Sequence, residues 1–335
     1  MEASSRTRRQ SLALLAAGLA APQIARAADL APAAPPLDNS LPESQFTPED
    51  VSTSLAGMED ALRRLTAPVM INGMGPFDFV VDTGTNRSVI SDDLAAMLAL
   101  PAGRPVHLHG ISGQRDAPTV KLDKMEIGVR VATNLSMPVL PAKSMRGAGI
   151  LGVDGLKNQR VVLDLREARL QIEPSSRSDP GAGTVIKTRR KFGQLTVVDT
   201  NLSGVQVSVL IDTGSEVSVG NSTLRRALDT RRRDADPALE RVTLEGATGD
   251  VAYGDYGGIP RFRIGSLEVS NMRLVYSDLH PFTLWELDDK PAILMGMDVI
   301  RFFDRVAIDY GRNEVRFTLP AQPFFDPAGD VVRRF

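Results

Sequence analysis

The stretch FVVDTGT at residues 79–85 returns as VLIDTGS at residues 209–215. In both copies an apolar run of the kind that forms a buried strand leads into Asp-Thr-Gly and then a hydroxyl-bearing residue. Four further segments recur in the same order: 109–113 with 245–249, 125–128 with 262–265, 150–154 with 294–298, and 161–165 with 306–310. Five segments repeated in one order indicate the duplication of a whole domain.

The repeat and the local composition predict the domain boundaries. We expect an N-terminal lobe over residues 53–173 and a C-terminal lobe over residues 185–320, joined by a Pro-, Gly- and Ser-rich linker at 174–184 and followed by a tail at 321–335. Within each lobe, apolar runs of four to seven residues alternate with Gly, Pro, Asn and Asp. This pattern predicts an all-β fold with a few short helices.

The helices are predicted from spacing and capping signals. Apolar spacing over residues 91–100 and 222–228 is typical of a helix, and a Ser near the start of each can cap it. Asp154 and Asp298 follow a glycine turn in equivalent places. We expect both carboxylates to cap helices, a structural role that we favour over a catalytic one.

The N-terminus has the features of a secretory signal peptide over residues 1–27: a basic start, a short apolar stretch and small residues before the predicted cleavage point. The segment TRRQSL at 7–12 resembles a twin-arginine signal, although Ser11 stands where Phe is usual, so the general secretory route stays open. Either route predicts a periplasmic or secreted protein. An uncleaved N-terminal anchor is the alternative.

The segment that follows, residues 28–52, is rich in Ala and Pro and is predicted to be a tether, because it has little apolar surface to bury. In the whole chain of 335 residues the net charge is −2, which gives no reason to expect nucleic acid or an anionic membrane as a partner. No later stretch is apolar enough to predict a membrane span.

The chain has no cysteine and three histidines, His107, His109 and His280. The absence of cysteine excludes disulfides, thiol nucleophiles and iron–sulfur clusters. His107 and His109 share one face if they lie on a strand, where we expect them to face solvent or a groove. A metalloenzyme is the weakest alternative, and we predict no metal and no cofactor.

The repeated Asp-Thr-Gly motif points to paired carboxylates. The strand brings Asp82, or its counterpart Asp212, into a dry position, and the glycine allows a tight turn. We expect the loop residues to support the carboxylates: Thr83, Gly84 and Thr85, and Thr213, Gly214 and Ser215. The expected donors to the carboxylates are the glycine amides and the hydroxyls of Thr85 and Ser215. Two such carboxyl groups side by side share one proton and can activate a water. A pair of turns stabilised by Asp side chains is the alternative.

These residues resemble the aspartic peptidase superfamily, and in detail the bacterial retropepsin-like proteases, over about residues 55–320. The segments ILG at 150–152 and LMG at 294–296 also match, and in that fold they thread beneath the catalytic loops. The resemblance implies two homologous β-barrel lobes of the acid protease fold with the active site in the cleft between them. It also implies an aspartic endopeptidase with catalytic Asp82 and Asp212. The predicted export in turn suggests exported or envelope polypeptides as its substrates. We expect a monomer.

The glycine pairs of the second repeated segment predict hairpin tips that serve as substrate-binding flaps: Gly110, Ile111, Ser112 and Gly113, and Gly246, Ala247, Thr248 and Gly249. Ordinary surface hairpins are the alternative. For Trp285 we favour a packed core or loop position over a place in the cleft. A non-catalytic peptide-binding protein of the same fold and an assembly of two chains are the main rivals to a monomeric enzyme.

Overall fold

The computed structural model describes residues 46–47, 52–56, 58–59, 64–155, 159–175, 182–191, 194–230, 239–264, 267–320 and 331–334. The predicted signal peptide, and most of the predicted tether, linker and tail, lie outside these residues. Two short strands described below, Phe46–Thr47 and Val331–Arg334, fall inside the segments predicted as tether and tail.

The first half of the chain consists of short strands with two short helices and a 3-10 turn. The strands are β1 Phe46–Thr47, β2 Thr53–Ala56, β3 Met58–Glu59, β4 Leu65–Ile71, β5 Met74–Val81, β6 Val89–Ser91, β7 Val106–His109, β8 Gln114–Ala117, β9 Thr119–Ile127, β10 Arg130–Leu140, β11 Gly149–Leu151, β12 Gln159–Asp164 and β13 Arg169–Pro174. The helices are α1 Asp92–Met97 and α2 Ala142–Met145, and the 3-10 turn is Val153–Gly155.

The second half repeats the pattern. Its strands are β14 Thr184–Lys191, β15 Gln194–Leu202, β16 Val205–Ile211, β17 Val219–Gly220, β18 Glu240–Glu245, β19 Val251–Ile264, β20 Leu267–Tyr276, β21 Ala292–Met295, β22 Arg305–Asp309, β23 Glu314–Thr318 and β24 Val331–Arg334. Its helices are α3 Ser222–Asp229, α4 His280–Leu284 and α5 Met297–Ile300. The predicted all-β class is confirmed.

Each half forms a barrel-like sheet with the same strand order. In the first, β10, β6, β11, β5, β4 and β9 follow one another, and β9 pairs with β10 to close the ring. In the second, β20, β17, β21, β16, β15 and β19 occupy the same places, and β19 pairs with β20. One buried apolar cluster includes Phe79 of the first barrel and Phe262 of the second. The expected two-lobed acid protease fold is therefore confirmed.

The two barrels share an antiparallel sheet. β12 pairs with β13 and with β22, and β22 continues through β23 to β14 and the second barrel. The register sets Val161 against Ile308 and Leu163 against Val306, and all four side chains are buried. Since apolar residues from both halves alternate into one core here, the sheet fixes one half against the other.

Of the two helices predicted with a serine cap, one starts as predicted and one does not. Ser91 caps α1, and its hydroxyl accepts from the Leu94 amide at 3.1 Å. For α3 the cap is Asn221, one residue before the Ser that was expected. The reason is that the Asn221 side chain accepts from the Leu224 amide and also donates to the carbonyls of Leu287 and Lys290, which a serine cannot do.

Asp154 and Asp298 do not cap helices, so that expectation was wrong. Asp154 lies inside the 3-10 turn and Asp298 in the first turn of α5, whose cap position is Gly296 without a side-chain bond. Each carboxylate instead binds a serine of the loop that follows the repeated motif, as described below. In the described part of the chain no helix is both long and apolar enough to cross a membrane.

Candidate active site

The two repeated aspartates lie at the ends of equivalent strands. β5 ends one residue before Asp82, and β16 ends one residue before Asp212. Each strand runs parallel to a buried neighbour, β11 or β21. The neighbour's last carbonyl accepts from the aspartate's own amide: Leu151 O from Asp82 N at 3.0 Å, and Met295 O from Asp212 N at 2.9 Å. The first residue of each loop is thus hydrogen-bonded to the neighbouring parallel strand.

Thr83 and Thr213 join the two loops by reciprocal hydrogen bonds. Thr83 Oγ1 donates to Ile211 O at 2.9 Å, and Thr213 Oγ1 donates to Val81 O at 2.6 Å. Each hydroxyl also accepts from the other threonine's backbone amide, at 3.0 and 3.2 Å. Both side chains are almost completely buried. Because every donor here is paired across the boundary between the halves, this Thr83–Thr213 hydrogen-bond network fixes the separation of the two loops.

The two carboxyl groups meet at the centre of this arrangement and are hydrogen-bonded to each other. A Cβ added to Gly84 would lie 2.5 Å from Asp212 Cγ, and one added to Gly214 would lie 2.4 Å from Asp82 Cγ. Each loop's glycine therefore lies directly against the aspartate of the other half, and no residue with a side chain fits at either position. The predicted pair and its glycines are brought together as expected.

Backbone amides bind both carboxylates. Gly84 N donates to Asp82 Oδ1 at 2.7 Å, and Gly214 N donates to Asp212 Oδ1 at 2.9 Å. Burial raises the pKa of Asp82, and the hydrogen bonds from Asp212, Gly84 and Thr85 oppose that rise. Burial and the neighbouring charge of Asp82 raise the pKa of Asp212 well above its ordinary value. The pair consequently holds a single proton over a wide range of pH.

The two hydroxyl residues that follow the glycines differ in their contacts. The Thr85 side chain hydrogen-bonds to Asp82, as expected. Ser215 Oγ instead donates to Val217 O at 2.9 Å, while the Ser215 amide donates to Asp212 Oδ1 at 3.2 Å. The expectation of a hydroxyl donor to both carboxylates was therefore wrong for Ser215, because its one hydroxyl proton is taken by a carbonyl two residues away.

Asp154 and Asp298 brace the far side of each loop. Asp154 accepts from the Ser88 amide at 3.0 Å and from the Ser88 hydroxyl at 2.7 Å, and that hydroxyl accepts from Gly152 N. Asp298 binds Ser218 in the same way, at 2.9 and 2.6 Å. Burial raises the pKa of both carboxyl groups, and the serine hydrogen bonds oppose the rise. These acids hold the loops through their serine partners.

The predicted flap segments form two hairpin tips that contact each other. The β7–β8 hairpin turns at 110–113 and the β18–β19 hairpin at 246–250. Asp250 accepts from the Ser112 amide at 2.6 Å and from the Ser112 hydroxyl at 2.8 Å, while Thr248 Oγ1 donates to its other oxygen at 2.5 Å. Arg115 Nη1 donates to Thr248 O. Asp250 was not among the predicted site residues, although it directly follows the predicted tip.

Each tip also contacts the opposite half of the molecule. Ile111 packs against an apolar cluster of the second half that contains Trp285, and Ile111 O accepts from His280 N at 2.8 Å. Ala247 packs against a cluster of the first half that contains Met145. His109 stacks on His280 with ring nitrogens 2.9 Å apart. Trp285 is buried in its cluster, which confirms the core position favoured from the sequence.

The tip glycines are required for two different reasons. Gly113 and Gly249 have φ angles of +154° and +79°, which side chains rarely adopt. Gly110 and Gly246 allow close approach, since a Cβ at Gly110 would lie 2.4 Å from Thr248 Oγ1 and one at Gly246 would lie 2.1 Å from Asp250 Oδ1. The paired glycines therefore serve both the turns and the contact between the tips.

We predict that Thr83→Val destabilises the fold by about 2–4 kcal/mol, because it leaves the buried Ile211 carbonyl and Thr213 amide without partners. Thr83→Ser keeps the hydroxyl and should cost less than about 1 kcal/mol. Urea unfolding of the three proteins measures the difference. Thr83→Val with Thr213→Val should cost less than the sum of the single changes, since they break one network. If Thr83→Val and Thr83→Ser lowered the free energy of unfolding equally, the hydroxyl network would not be what stabilises the two loops.

We predict that Asp250→Asn weakens the contact between the hairpin tips. Burial raises the pKa of Asp250, but the hydrogen bonds from Thr248 and Ser112 outweigh it and the net pKa is lowered. The ionised contact therefore stabilises the fold above the ordinary carboxyl pKa and is lost as the pH falls through the lowered value. At neutral pH the Ser112 amide of the variant should exchange hydrogen about tenfold faster.

Hydrogen exchange followed by NMR or mass spectrometry measures this effect, and Ser112→Ala is the matched control. That change removes only the hydroxyl bond to Asp250, so the remaining tip amides should exchange less rapidly than in Asp250→Asn. Unaltered exchange across 110–113 in Asp250→Asn would show that the carboxylate does not hold the tips together.

Comparison with known proteins agrees with this geometry. No curated protein sequence matches the chain. The family model described as aspartyl protease matches residues 67–154 and 198–299, which together are more than half of the chain. The two segments contain Asp82 and Asp212 at equivalent places, one in each half. By the extent of this match, the chain belongs to the aspartyl protease family.

Proposed function

We propose that the protein is an aspartic endopeptidase that hydrolyses peptide bonds with a water activated by Asp82 and Asp212. The observation that carries the proposal is the buried, hydrogen-bonded carboxyl pair, whose environment favours a state with one shared proton. Burial excludes bulk water from the reacting groups, and the amides of Gly84 and Gly214 fix one oxygen of each carboxyl group.

The chemistry follows from that protonation state. The ionised carboxylate takes a proton from a water held between the pair, and the water oxygen attacks the peptide carbonyl carbon. The protonated carboxyl group donates a hydrogen bond to the carbonyl oxygen, on which negative charge develops. When the carbon–nitrogen bond breaks, the leaving amine receives a proton from the pair, and the single-proton state is restored.

The natural substrates are proposed to be exported or envelope polypeptides, and the protein itself is proposed to act in the periplasm or outside the cell as a monomer. The features at residues 1–27 support this location, because they match a signal for export by the twin-arginine or general secretory route. The hairpin tips 110–113 and 246–249 are proposed to bind the substrate backbone, and their position on the two halves supports that role.

We predict that cleavage of an unbiased peptide library falls by roughly a thousandfold or more in Asp82→Asn and in Asp212→Asn, because each removes one member of the acid–base pair. Asp78→Asn is the matched control, since Asp78 is exposed on the same strand β5 and should be silent. The assay is mass-spectrometric product detection from about pH 3 to about pH 8, with and without a statine-type inhibitor.

Three outcomes decide the proposal. Cleavage lost in both Asn variants and blocked by the inhibitor supports the paired-carboxylate mechanism and gives the sequence preference. Cleavage that survives both changes points to another site and contradicts the proposal. Inhibitor binding by wild type without any cleavage favours the non-catalytic peptide-binding alternative.

We predict that Thr85→Ala shifts the acidic limb of the pH–rate profile upward by about half a pH unit. The Thr85 hydroxyl stabilises the ionised form of Asp82, and one lost hydrogen bond of about 1 kcal/mol corresponds to rather less than one pKa unit. Thr85→Ser should keep the limb in place. Ser215→Ala should also leave it in place, since that hydroxyl binds Val217 O. An unmoved limb in Thr85→Ala contradicts the assignment.

A further inference from the structure

Arg64 introduces a buried positive charge beside one aspartate of the pair. It directly precedes β4, its side chain is 7% exposed, and its Nη2 donates to Met145 O at 2.9 Å. β4 pairs with β5 in a register that sets Thr66 against Val80. Continuing this antiparallel register by two residues brings Arg64 opposite Asp82. Arg64 is therefore the neighbour of Asp82 in the register of the two strands, and Arg64 is buried.

The equivalent position in the other half carries no charge. β15 pairs with β16 in a register that sets Thr196 against Leu210, and the same two-residue continuation brings Gln194 opposite Asp212. Arg64 and Gln194 are thus related by the same offset as Thr83 and Thr213, which lie 130 residues apart. The two halves thus have equivalent positions opposite their aspartates, but the first carries the cation of Arg64 and the second the neutral amide of Gln194.

This difference breaks the symmetry of the carboxyl pair. A guanidinium stays protonated at every pH at which the protein folds, and inside a protein its field is weakly screened. It favours the ionised form of the nearer carboxyl group. The charge of Arg64 indeed opposes the burial that raises the pKa of Asp82. The largest effects on Asp212 are burial and the charge of Asp82, which both raise its pKa, and no cation is among these largest effects.

The other groups that act on the pair do not restore the symmetry. Tyr310, which is buried and interacts electrostatically with Asp82, has a pKa raised far above its ordinary value by burial and therefore stays neutral. Arg190 acts on Tyr310 and is exposed. Thr85 adds a side-chain donor to Asp82, whereas Asp212 receives backbone amides from Gly214 and Ser215. With the Gly84 amide, each carboxyl group thus has two loop donors, so these hydrogen bonds leave the charge of Arg64 as the difference between the two aspartates.

We propose that Arg64 is a positioning residue that keeps Asp82 ionised and places the single proton of the pair on Asp212. The roles in the reaction follow: Asp82 takes the proton from the water, and Asp212 donates the hydrogen bond to the substrate carbonyl. This assignment rests on the proposed function for its chemical meaning, but the location of the proton is a property of the free protein.

The test is a pH titration of the aspartate carboxyl carbons by ¹³C NMR, made on the full chain without substrate. The variants Asp82→Asn and Asp212→Asn assign the two signals. We expect lone Asp82, in Asp212→Asn, to titrate at lower pH than lone Asp212, in Asp82→Asn. In Arg64→Gln the first deprotonation of the pair should move upward by about one pH unit, and Arg64→Lys, which keeps the charge, should restore it.

A purely structural role for Arg64 gives a different result. In that case Arg64→Gln and Arg64→Lys lower the melting temperature together and leave the titration unmoved, which overturns the proposal. If Arg64→Gln does not fold, the comparison of lone Asp82 with lone Asp212 still decides. Equal titration, or a higher value for Asp82, overturns the assignment.

The same variants separate this inference from the proposed function. In the peptide assay both limbs of the pH–rate profile should move upward in Arg64→Gln and stay in place in Arg64→Lys. A wild-type protein that cleaves no peptide but shows the expected titration contradicts the enzyme and leaves the proton assignment intact. Cleavage with a symmetric titration contradicts only the assignment.

Discussion

Two carboxyl groups buried against each other form the constraint on which the rest of the site depends. Taking a carboxylate out of water costs several kcal/mol, and two adjacent negative charges repel each other, so the pair is stable only with one proton and with fixed donors. The Gly84 and Gly214 amides supply those donors, and the Thr83–Thr213 hydrogen-bond network keeps the two loops from separating. The serine–aspartate braces beneath hold the loops in turn. Together these three sets of hydrogen bonds prevent the carboxyl groups from moving apart and ionising independently.

Gene duplication explains why the halves are alike, and the departures from it are informative. The strand order, the parallel neighbour under each aspartate and the serine–aspartate brace are the same in both halves. The hydroxyl after the glycine has different partners in the two, and the residue opposite the aspartate is Arg64 in one and Gln194 in the other. A symmetric pair of carboxyl groups has no preferred location for its proton. Differences of this kind, placed around an otherwise symmetric centre, are what can give the two aspartates separate roles.

The sequence predicted the features that are local or repeated. An apolar strand followed by Asp-Thr-Gly was enough to place Asp82 and Asp212, and the duplication was enough to pair them. Contacts between distant residues were not predictable in the same way. Asp154 and Ser88 are 66 residues apart, Asp298 and Ser218 are 80 apart, and Asp250 and Ser112 are 138 apart. No local pattern specifies such partners, so Asp154 and Asp298 were given a local capping role. The misplaced cap of α3 has a similar cause, because the partners of Asn221 lie in a loop more than sixty residues away.

The hairpin tips place a condition on substrate binding. Amides in both tips already have partners: Ser112 N binds Asp250, Gly110 N binds Gly113 O, and Gly246 N binds Asp250 O. A peptide that pairs with the tips must replace contacts that the tips make with each other and with the opposite halves. Its net affinity is therefore the difference between new and lost hydrogen bonds, to which the apolar contacts of Ile111 and Ala247 also contribute. Because Asp250 holds one tip through an ionised carboxylate, acid weakens this closed arrangement and lowers the free energy needed to admit a peptide. The pH dependence of substrate affinity and that of the carboxyl pair thus originate in different residues, and KM and kcat need not share one profile.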